Sequence, residues 1–295
     1  MTDTLFSLNG KIVPEREAVV PVTDRGFLYG DGLFETIHAY GRHLFMLDDH
    51  LRRLKRGLGT MAIAGAPPSR TLEKWLREAV AAADVPEANV RLTVTRGSGP
   101  RGPSVRGTFK PFVVATVTAH HRRPERDYTH GVKAVLASFR RQESSVVATL
   151  KTTAYIEQIF ARREADAAGA DEALLLNNAG LLCEGSASNI TLVRAGGLVV
   201  PDPLLVGALP GTMQVLALKL AREAGIPVTE AALGPWDLKL CDEAFLTGSL
   251  REITPLVRVG HEPIGTGRPG PLTKRLIRAF RAHVLRTCPG YRFRR

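Results

Sequence analysis

Cysteine is scarce in this chain: Cys183, Cys241 and Cys288 are the only three among 295 residues. An odd count at such wide spacing excludes a disulfide framework and a thiolate metal cluster. Long apolar runs are missing too, since none approaches the ~20 residues of a membrane-spanning helix. The N-terminus, Met1-Thr-Asp-Thr-Leu-Phe-Ser, has neither a basic start nor a long apolar core, so no signal peptide and a cytoplasmic location are expected. On that expectation the sequon Asn189-Ile190-Thr191 carries no glycan. Acidic residues are outnumbered, 29 against 40 basic, for a formal charge of +11. Only nine of the basic residues are lysines, the arginines are spread along the chain, and no zinc-finger, RNP or basic-zipper pattern accompanies them. The clusters Arg52-Arg53-Leu54-Lys55-Arg56 and Tyr291-Arg-Phe-Arg-Arg295 read as solvated basic faces, and no nucleic-acid or membrane partner is expected.

What is present describes an ordinary soluble globular protein, neither disordered nor fibrous: 44% hydrophobic and 23% charged residues, with frequent glycine and proline. The length is near the limit for one core and favours two domains. The polar, proline-containing segment His120-His-Arg-Arg-Pro-Glu-Arg-Asp127 follows a strand and is placed as part of a linker, 120–128, between an N-terminal domain, 1–119, and a larger C-terminal one, 129–295. His120 and His121 read there as solvated, since no carboxylate or thiol stands near them at ligand spacing, and no metal is expected.

Asn9-Gly10 between two apolar stretches predicts a hairpin. Thr23 to Gly32 reads as a glycine-rich loop leading into a strand from Leu33 to Tyr40; the pattern after Gly30-Asp31-Gly32 is β-type, which excludes a dinucleotide fingerprint. Leu51, Leu54 and Leu58 predict a helix capped by Asp48 or Asp49, and Ser69 can cap a second with Leu72, Leu76, Ala79 and Val80 on one face. Strands are predicted over Arg91 to Thr95 and Pro111 to Thr118, joined by a loop carrying Arg96 and Arg101. In the second half a strand over Val132 to Ala137 is followed by a helix with Ile156, Ile159 and Phe160 on one side. An apolar strand, Ala173 to Leu176, then turns back toward Glu184. The last helix, 272–287, turns Leu272, Leu276, Phe280 and Val284 inward.

Lys151 is the only lysine followed by Ser or Thr, and Leu150 precedes it where a P-loop needs glycine. His261-Glu262 is followed by Pro-Ile-Gly, not by a metalloprotease helix, and no G-x-S-x-G elbow occurs. There remain a lysine in a strand-to-helix connection, a carboxylate, Glu184, leaving the neighbouring strand, and two glycine-hydroxyl turns. The first turn, Pro210-Gly211-Thr212-Met213, opens a helix whose leading N–H groups can seat a phosphate. The second is Thr247-Gly248-Ser249. Pyridoxal phosphate requires such parts: an amine for a Schiff base, a carboxylate for the ring nitrogen, an arginine and backbone N–H groups for the phosphate. Each residue also has a plainer reading, Arg53 as a surface arginine and Tyr155 as core packing among them.

Five runs taken together, Asp24-Arg-Gly-Phe-Leu-Tyr-Gly-Asp-Gly-Leu-Phe-Glu-Thr, His50-Leu-Arg-Arg53-Leu, Lys151-Thr-Thr-Ala-Tyr, Glu184-Gly-Ser-Ala-Ser-Asn and Gly248-Ser-Leu-Arg-Glu-Ile-Thr-Pro255, resemble the class IV aminotransferases of pyridoxal-phosphate fold type IV. The resemblance implies a two-domain α/β fold with the cofactor between domains, a homodimer, and amino-group transfer from an amino acid to a 2-oxo acid. A 4-amino-4-deoxychorismate lyase is the alternative. It makes Lys151 the Schiff-base lysine and places Arg53, Tyr155, Glu184, Ser188, Thr212, Met213 and Ser249 on the cofactor. Tyr29, Phe34, His38, Arg101 and Leu250 fall on the substrate side. Tyr29 and Phe34 match pocket aromatics of branched-chain enzymes, but His38 stands where those carry arginine. Arg101 matches the carboxylate-binding arginine of D-amino acid aminotransferases, whereas Pro103 replaces their histidine. The Thr-Gly-Ser-Leu-Arg-Glu-Ile run leans toward the lyases.

Overall fold

A computed structural model describes residues 4–107 and 109–293; Met1 to Asp3 of the N-terminus and the last two arginines of the basic tail lie outside the described residues. The chain forms two compact units. One gathers residues 1–121, 150–155 and 287–295, the other 122–149 and 156–286.

The first unit is built on a six-stranded antiparallel sheet: β1 (Leu5–Leu8), β2 (Lys11–Val13), β3 (Gly32–Tyr40), β4 (His43–Leu44), β5 (Glu87–Thr95) and β6 (Phe112–Ala119), in the order β2-β1-β6-β5-β3-β4. The Asn9-Gly10 hairpin is as expected, both residues taking the positive φ (50° and 86°) of a tight primed turn. Alternation along β3 divides its side chains between two faces. Leu33, Ile37 and Ala39 join a core with Leu47, Leu51, Leu54 and Leu58 of the helix Leu47–Thr60 and Leu72, Leu76, Ala79 and Val80 of the helix Ser69–Ala83. The first of these helices starts before its expected caps: Met46, in the left-handed region, precedes it, and Asp48 and Asp49 lie inside the first turn, where a carboxylate favours the positive end of the helix dipole. The other face of β3 carries Phe34, Thr36, His38 and Tyr40, opposite Thr93, Arg91, Asn89 and Glu87 of β5.

The expected loop at 23–32 contains a short helix, Arg25–Tyr29, because the Asp24 carboxylate accepts the N–H groups of Gly26 and Phe27. Residues 150–155 group with this unit and not with the chain that follows them in sequence. Phe34 N donates to Lys151 O and Thr153 N to Gly32 O, each at 2.9 Å, so the segment runs along β3 as an extra edge.

The second unit holds a mixed nine-stranded sheet. Its strands are β7 (Val132–Arg141), β8 (Glu172–Asn177), β9 (Leu182–Gly185), β10 (Asn189–Arg194), β11 (Gly197–Pro201), β12 (Val228–Ala231), β13 (Glu243–Gly248), β14 (Glu252–Val259) and β15 (Glu262–Pro263). They run β12-β11-β10-β13-β14-β7-β8-β9, with β15 on β14. Leu174, Leu182, Ile190, Leu192, Leu246 and Leu256 fill its core. In the helix Ile156–Ala167 the buried residues are Ala161 and Ala165, whereas Ile156, Ile159 and Phe160 are exposed: small residues face the sheet and the large apolar ones look away from it. The expected linker is partly ordered as a helix, Glu125–Thr129, whose first turn is held by Arg123 on Asp127. Leu276, Phe280 and Val284 of the helix Pro271–Thr287 are buried as expected, with Leu272 at the margin. Among the described residues no helix is long and apolar enough to cross a membrane.

Candidate active site

Lys151 is fixed by the backbone bonds that dock its segment on β3, and its side chain reaches the face bearing Phe34. The amine nitrogen lies 4.5 Å from the centre of the Phe34 ring and 5.7 Å from that of Tyr155. The two rings meet edge to face at 5.2 Å. Arg91, opposite Thr36 across the sheet, lays its guanidinium 3.7 Å from the same Phe34 ring, and burial draws its pKa down. Three of the expected site residues, Lys151, Phe34 and Tyr155, thus stand together, with an arginine that the sequence pattern does not single out.

Arg53 is no surface arginine. It projects from the helix Leu47–Thr60 onto Glu35 in a two-pronged bond, Nε to Oε1 at 2.8 Å and Nη2 to Oε2 at 2.6 Å, while His50 Nδ1 donates to Oε2 at 2.7 Å. Glu35 falls on the core-facing side of β3 and is almost completely buried. Burial by itself would raise its pKa; the bonds and charges of Arg53 and His50 more than reverse this and hold it at about 2. His50 is pushed down by burial first, so it donates as a neutral imidazole. Glu35 and His50 stand in the quoted runs with no site role assigned to them, although the sequence carries a signal for one. A carboxylate at an otherwise apolar parity needs a cation, and the i, i+3 spacing of His50 and Arg53 puts both on one helical face.

The substrate-side residues divide. Tyr29 is half-exposed, and its hydroxyl accepts the N–H of Gly102 at 2.8 Å in the loop that carries Arg101. Arg25 pins this loop through Nη1, donating to the carbonyls of Pro100, Gly102 and Ser104. Arg101 itself is exposed. His38 is buried and bonded to Glu87 at 2.9 Å, away from solvent.

In the second unit Glu184 is the last residue but one of β9, buried. Its Oε1 accepts Arg141 Nη1, and Oε2 accepts the N–H of Leu209 at 3.0 Å and Asn189 Nδ2 at 3.3 Å. Arg141 and Asn189 are further positions that the sequence did not single out. The helix Thr212–Glu223 opens on Gly211 without a side-chain cap. A Cβ at Gly211 would lie 1.8 Å from Asn189 Oδ1, so only glycine lets the helix start approach that closely. Ser188 donates its hydroxyl to Glu172 at 2.7 Å. Glu172 is fully buried, also accepts from Ser186, and pairs with Arg251 at 3.0 Å, so the turn after β9 is braced from beneath. Ser249 and Leu250 form the half-exposed turn after β13.

The first unit holds an amine beside a phenol and a guanidinium, and the second a buried carboxylate clamped by three donors and a helix start without a side-chain cap, pressed close by glycine; these are the donor types that a phosphorylated pyridine aldehyde takes. Comparison with known proteins agrees. The family model described as amino-transferase class IV matches residues 32–259. A Methanocaldococcus jannaschii protein provisionally named a branched-chain-amino-acid aminotransferase is 35% identical, with 93% of this chain and 94% of that one covered. The D-alanine aminotransferase of Bacillus licheniformis is 30% identical over 94% and 96%. Among solved structures, the T.th. branched-chain amino acid aminotransferase with pyridoxamine 5'-phosphate superposes at TM-score 0.89, with 27% identity and 97% and 96% covered. The 4-amino-4-deoxychorismate lyase of Pseudomonas aeruginosa gives 0.84, with 32% identity and 94% and 98% covered.

Proposed function

The chain belongs to the class IV aminotransferase family and is a pyridoxal-phosphate-dependent transaminase; we propose that Lys151 is its catalytic amine and that Arg53, Tyr155, Glu184, Ser188, Thr212, Met213 and Ser249 hold the cofactor. The observation that carries this reading is the Lys151 amine docked on β3 beside Phe34 and Tyr155. Bound pyridoxal phosphate supplies an aldehyde that condenses with amines and a pyridinium ring that draws electrons from them.

The chain's own residues do the rest. Lys151, held at its backbone, would supply the amine that the aldehyde takes up and would move the proton at the substrate carbon. Glu184 keeps the ring nitrogen protonated, and its clamp by Arg141, Asn189 and Leu209 sets its orientation. Tyr155 donates to the phenolic oxygen. Arg53, aligned by Glu35, and the N–H groups of Thr212 and Met213 hold the phosphate, and Ser249 adds its hydroxyl. Ser188 acts through Glu172, positioning the turn that follows Glu184.

The substrates are an amino acid and a 2-oxo acid, with Tyr29, Phe34, Arg101 and Leu250 on their side. His38 lies on the same face of β3 as Phe34, further along the strand and bonded to Glu87. We place the protein in the cytoplasm as a homodimer. Three buried, unbridged cysteines fit a reducing compartment, and the exposed Ile156, Ile159 and Phe160 offer an apolar face for a second copy.

The reading is tested by adding single amino acids to the yellow holoenzyme. Transamination converts the visible absorption to that of the amine form of the cofactor, and Lys151→Ala abolishes both the absorption of the resting enzyme and the turnover. The relationship to the lyase gives the second reading its weight. Release of 4-aminobenzoate and pyruvate from aminodeoxychorismate, without conversion by any single amino acid, would replace the first reading with the second.

A further inference from the structure

At the far end of β3 from the candidate active site, three residues distant in sequence converge. His38 is on β3, Glu87 begins β5 and His120 follows β6, and the register sets them side by side: His38 opposes Asn89, Glu87 opposes Tyr40, and Ala119 opposes Ala88. His120 N also donates to Glu87 O at 2.8 Å, fixing the end of the ladder. Each of the three offers one nitrogen or carboxylate oxygen, and these atoms all lie within 4.8 Å of one another. His38 Nε2 and Glu87 Oε2 are 2.9 Å apart, and the rings of His38 and His120 stand edge to face with centroids 4.4 Å apart.

From this cluster we infer that His38, Glu87 and His120 form a binding site for a divalent transition-metal ion of the zinc type. Two imidazoles and a carboxylate are a donor set that zinc takes, with a fourth position left for water. Three further observations point the same way. His38 is 1% exposed and its Nδ1 is buried with no hydrogen-bond partner among the described residues, so the ring has no hydrogen bond besides the one to Glu87 to give up to an ion. Tyr291 donates its hydroxyl to Glu87 Oε1 at 2.6 Å, the kind of outer bond that orients a ligating carboxylate while its other oxygen faces the ion. His120 is half-exposed, which gives an entry path from solvent to two otherwise buried ligands.

By sequence His120 reads as solvated for want of a nearby carboxylate. The fold supplies one from 33 positions upstream. An ion here would tie the ends of three strands to the C-terminal tail through Tyr291, and it is a different centre from the Lys151 corner.

The experiment uses the full-length holoenzyme, stripped with a chelator and dialysed against Zn2+ or Co2+. Wild type is expected to retain one zinc per chain after desalting, to gain the visible d–d bands of four-coordinate cobalt, and to melt at a higher temperature with zinc than without. His120→Ala should weaken zinc binding on the order of 100-fold, because it removes a first ligand where even an outer partner is worth 10- to 100-fold. His121→Ala, one residue on and exposed, should leave it unchanged. Retention by His120→Ala equal to wild type, or loss in His121→Ala, overturns the site. If His120→Ala fails to fold, zinc X-ray absorption of the wild type decides: a shell of light ligands at about 2.0 Å containing two imidazoles supports the site. A shell without imidazole, or no retained zinc, refutes it.

Discussion

Replacing Glu35 by Gln isolates one buried carboxylate that both the fold and the candidate site use. In the wild type it accepts two bonds from Arg53 and one from His50, and Arg53 has only 9% of its side chain exposed. Glutamine offers one acceptor oxygen in place of two and turns an N–H2 group toward a guanidinium, leaving a buried cation without its counter-charge. Breaking such a pair costs about 3–5 kcal/mol. A second route gives a similar size. The carboxyl is held at about 2 against 4.5 in the unfolded chain. At roughly 1.4 kcal/mol per unit that is worth about 3 kcal/mol at neutral pH.

The sign follows from the direction of the shift. The folded value lies below the unfolded one, so the stabilisation is complete above about pH 4.5 and disappears as pH falls through about 2. Urea unfolding of wild type and Glu35→Gln should therefore differ by about 3 kcal/mol at pH 7 and by only about 1 kcal/mol at pH 3. His50, lowered by burial, adds its own loss on the acid side, but the difference between the two proteins tracks Glu35. Because Arg53 also loses its alignment, the variant should bind pyridoxal phosphate more weakly. A difference below about 0.5 kcal/mol at pH 7, or one that stays constant down to pH 3, would refute the argument that Glu35 is an ionised, buried counter-charge.

Arg101→Ala should raise KM about 10- to 100-fold for every reactive amino acid while kcat changes little, the worth of one charged hydrogen bond; unchanged half-reaction rates would remove Arg101 from the carboxylate clamp. Gly211→Ala places a methyl group where Asn189 Oδ1 stands, at 1.8 Å, and so disturbs the residue that braces Glu184 and Leu209. Its affinity for the cofactor, measured by equilibrium dialysis, should fall about tenfold or more, and wild-type affinity would show that the helix start tolerates the displacement.

Much of the architecture was legible because it rests on local rules. The Asn9-Gly10 turn, the heptad-like leucines of the helix Leu47–Thr60 and the alternation of β3 each declare themselves within a dozen residues. Lys151 and Glu184 were legible for another reason: a lysine and a carboxylate at opposite ends of one helix-and-strand unit, read with the glycine turns, match a cofactor with two reactive poles. What escaped was whatever needed long-range pairing. Arg91 reads as an ordinary polar position of a strand until the register sets it across from Thr36 and over Phe34. Arg141 and Asn189 become relevant only once their strands bring them to Glu184.

The apolar side of the helix Ile156–Ala167 teaches the same lesson in reverse. Ile156, Ile159 and Phe160 share one side of the helix in sequence, yet the sheet beneath takes Ala161 and Ala165. Periodicity reports that a face wants covering, not what covers it. Within this unit small residues allow the close helix-to-sheet approach, so the large apolar side chains are left for another surface. A monomer would leave them in water. The homodimer in the proposed function therefore has a physical motive independent of the family resemblance, and a concentration-dependent sedimentation coefficient that shifts on Phe160→Glu would report it.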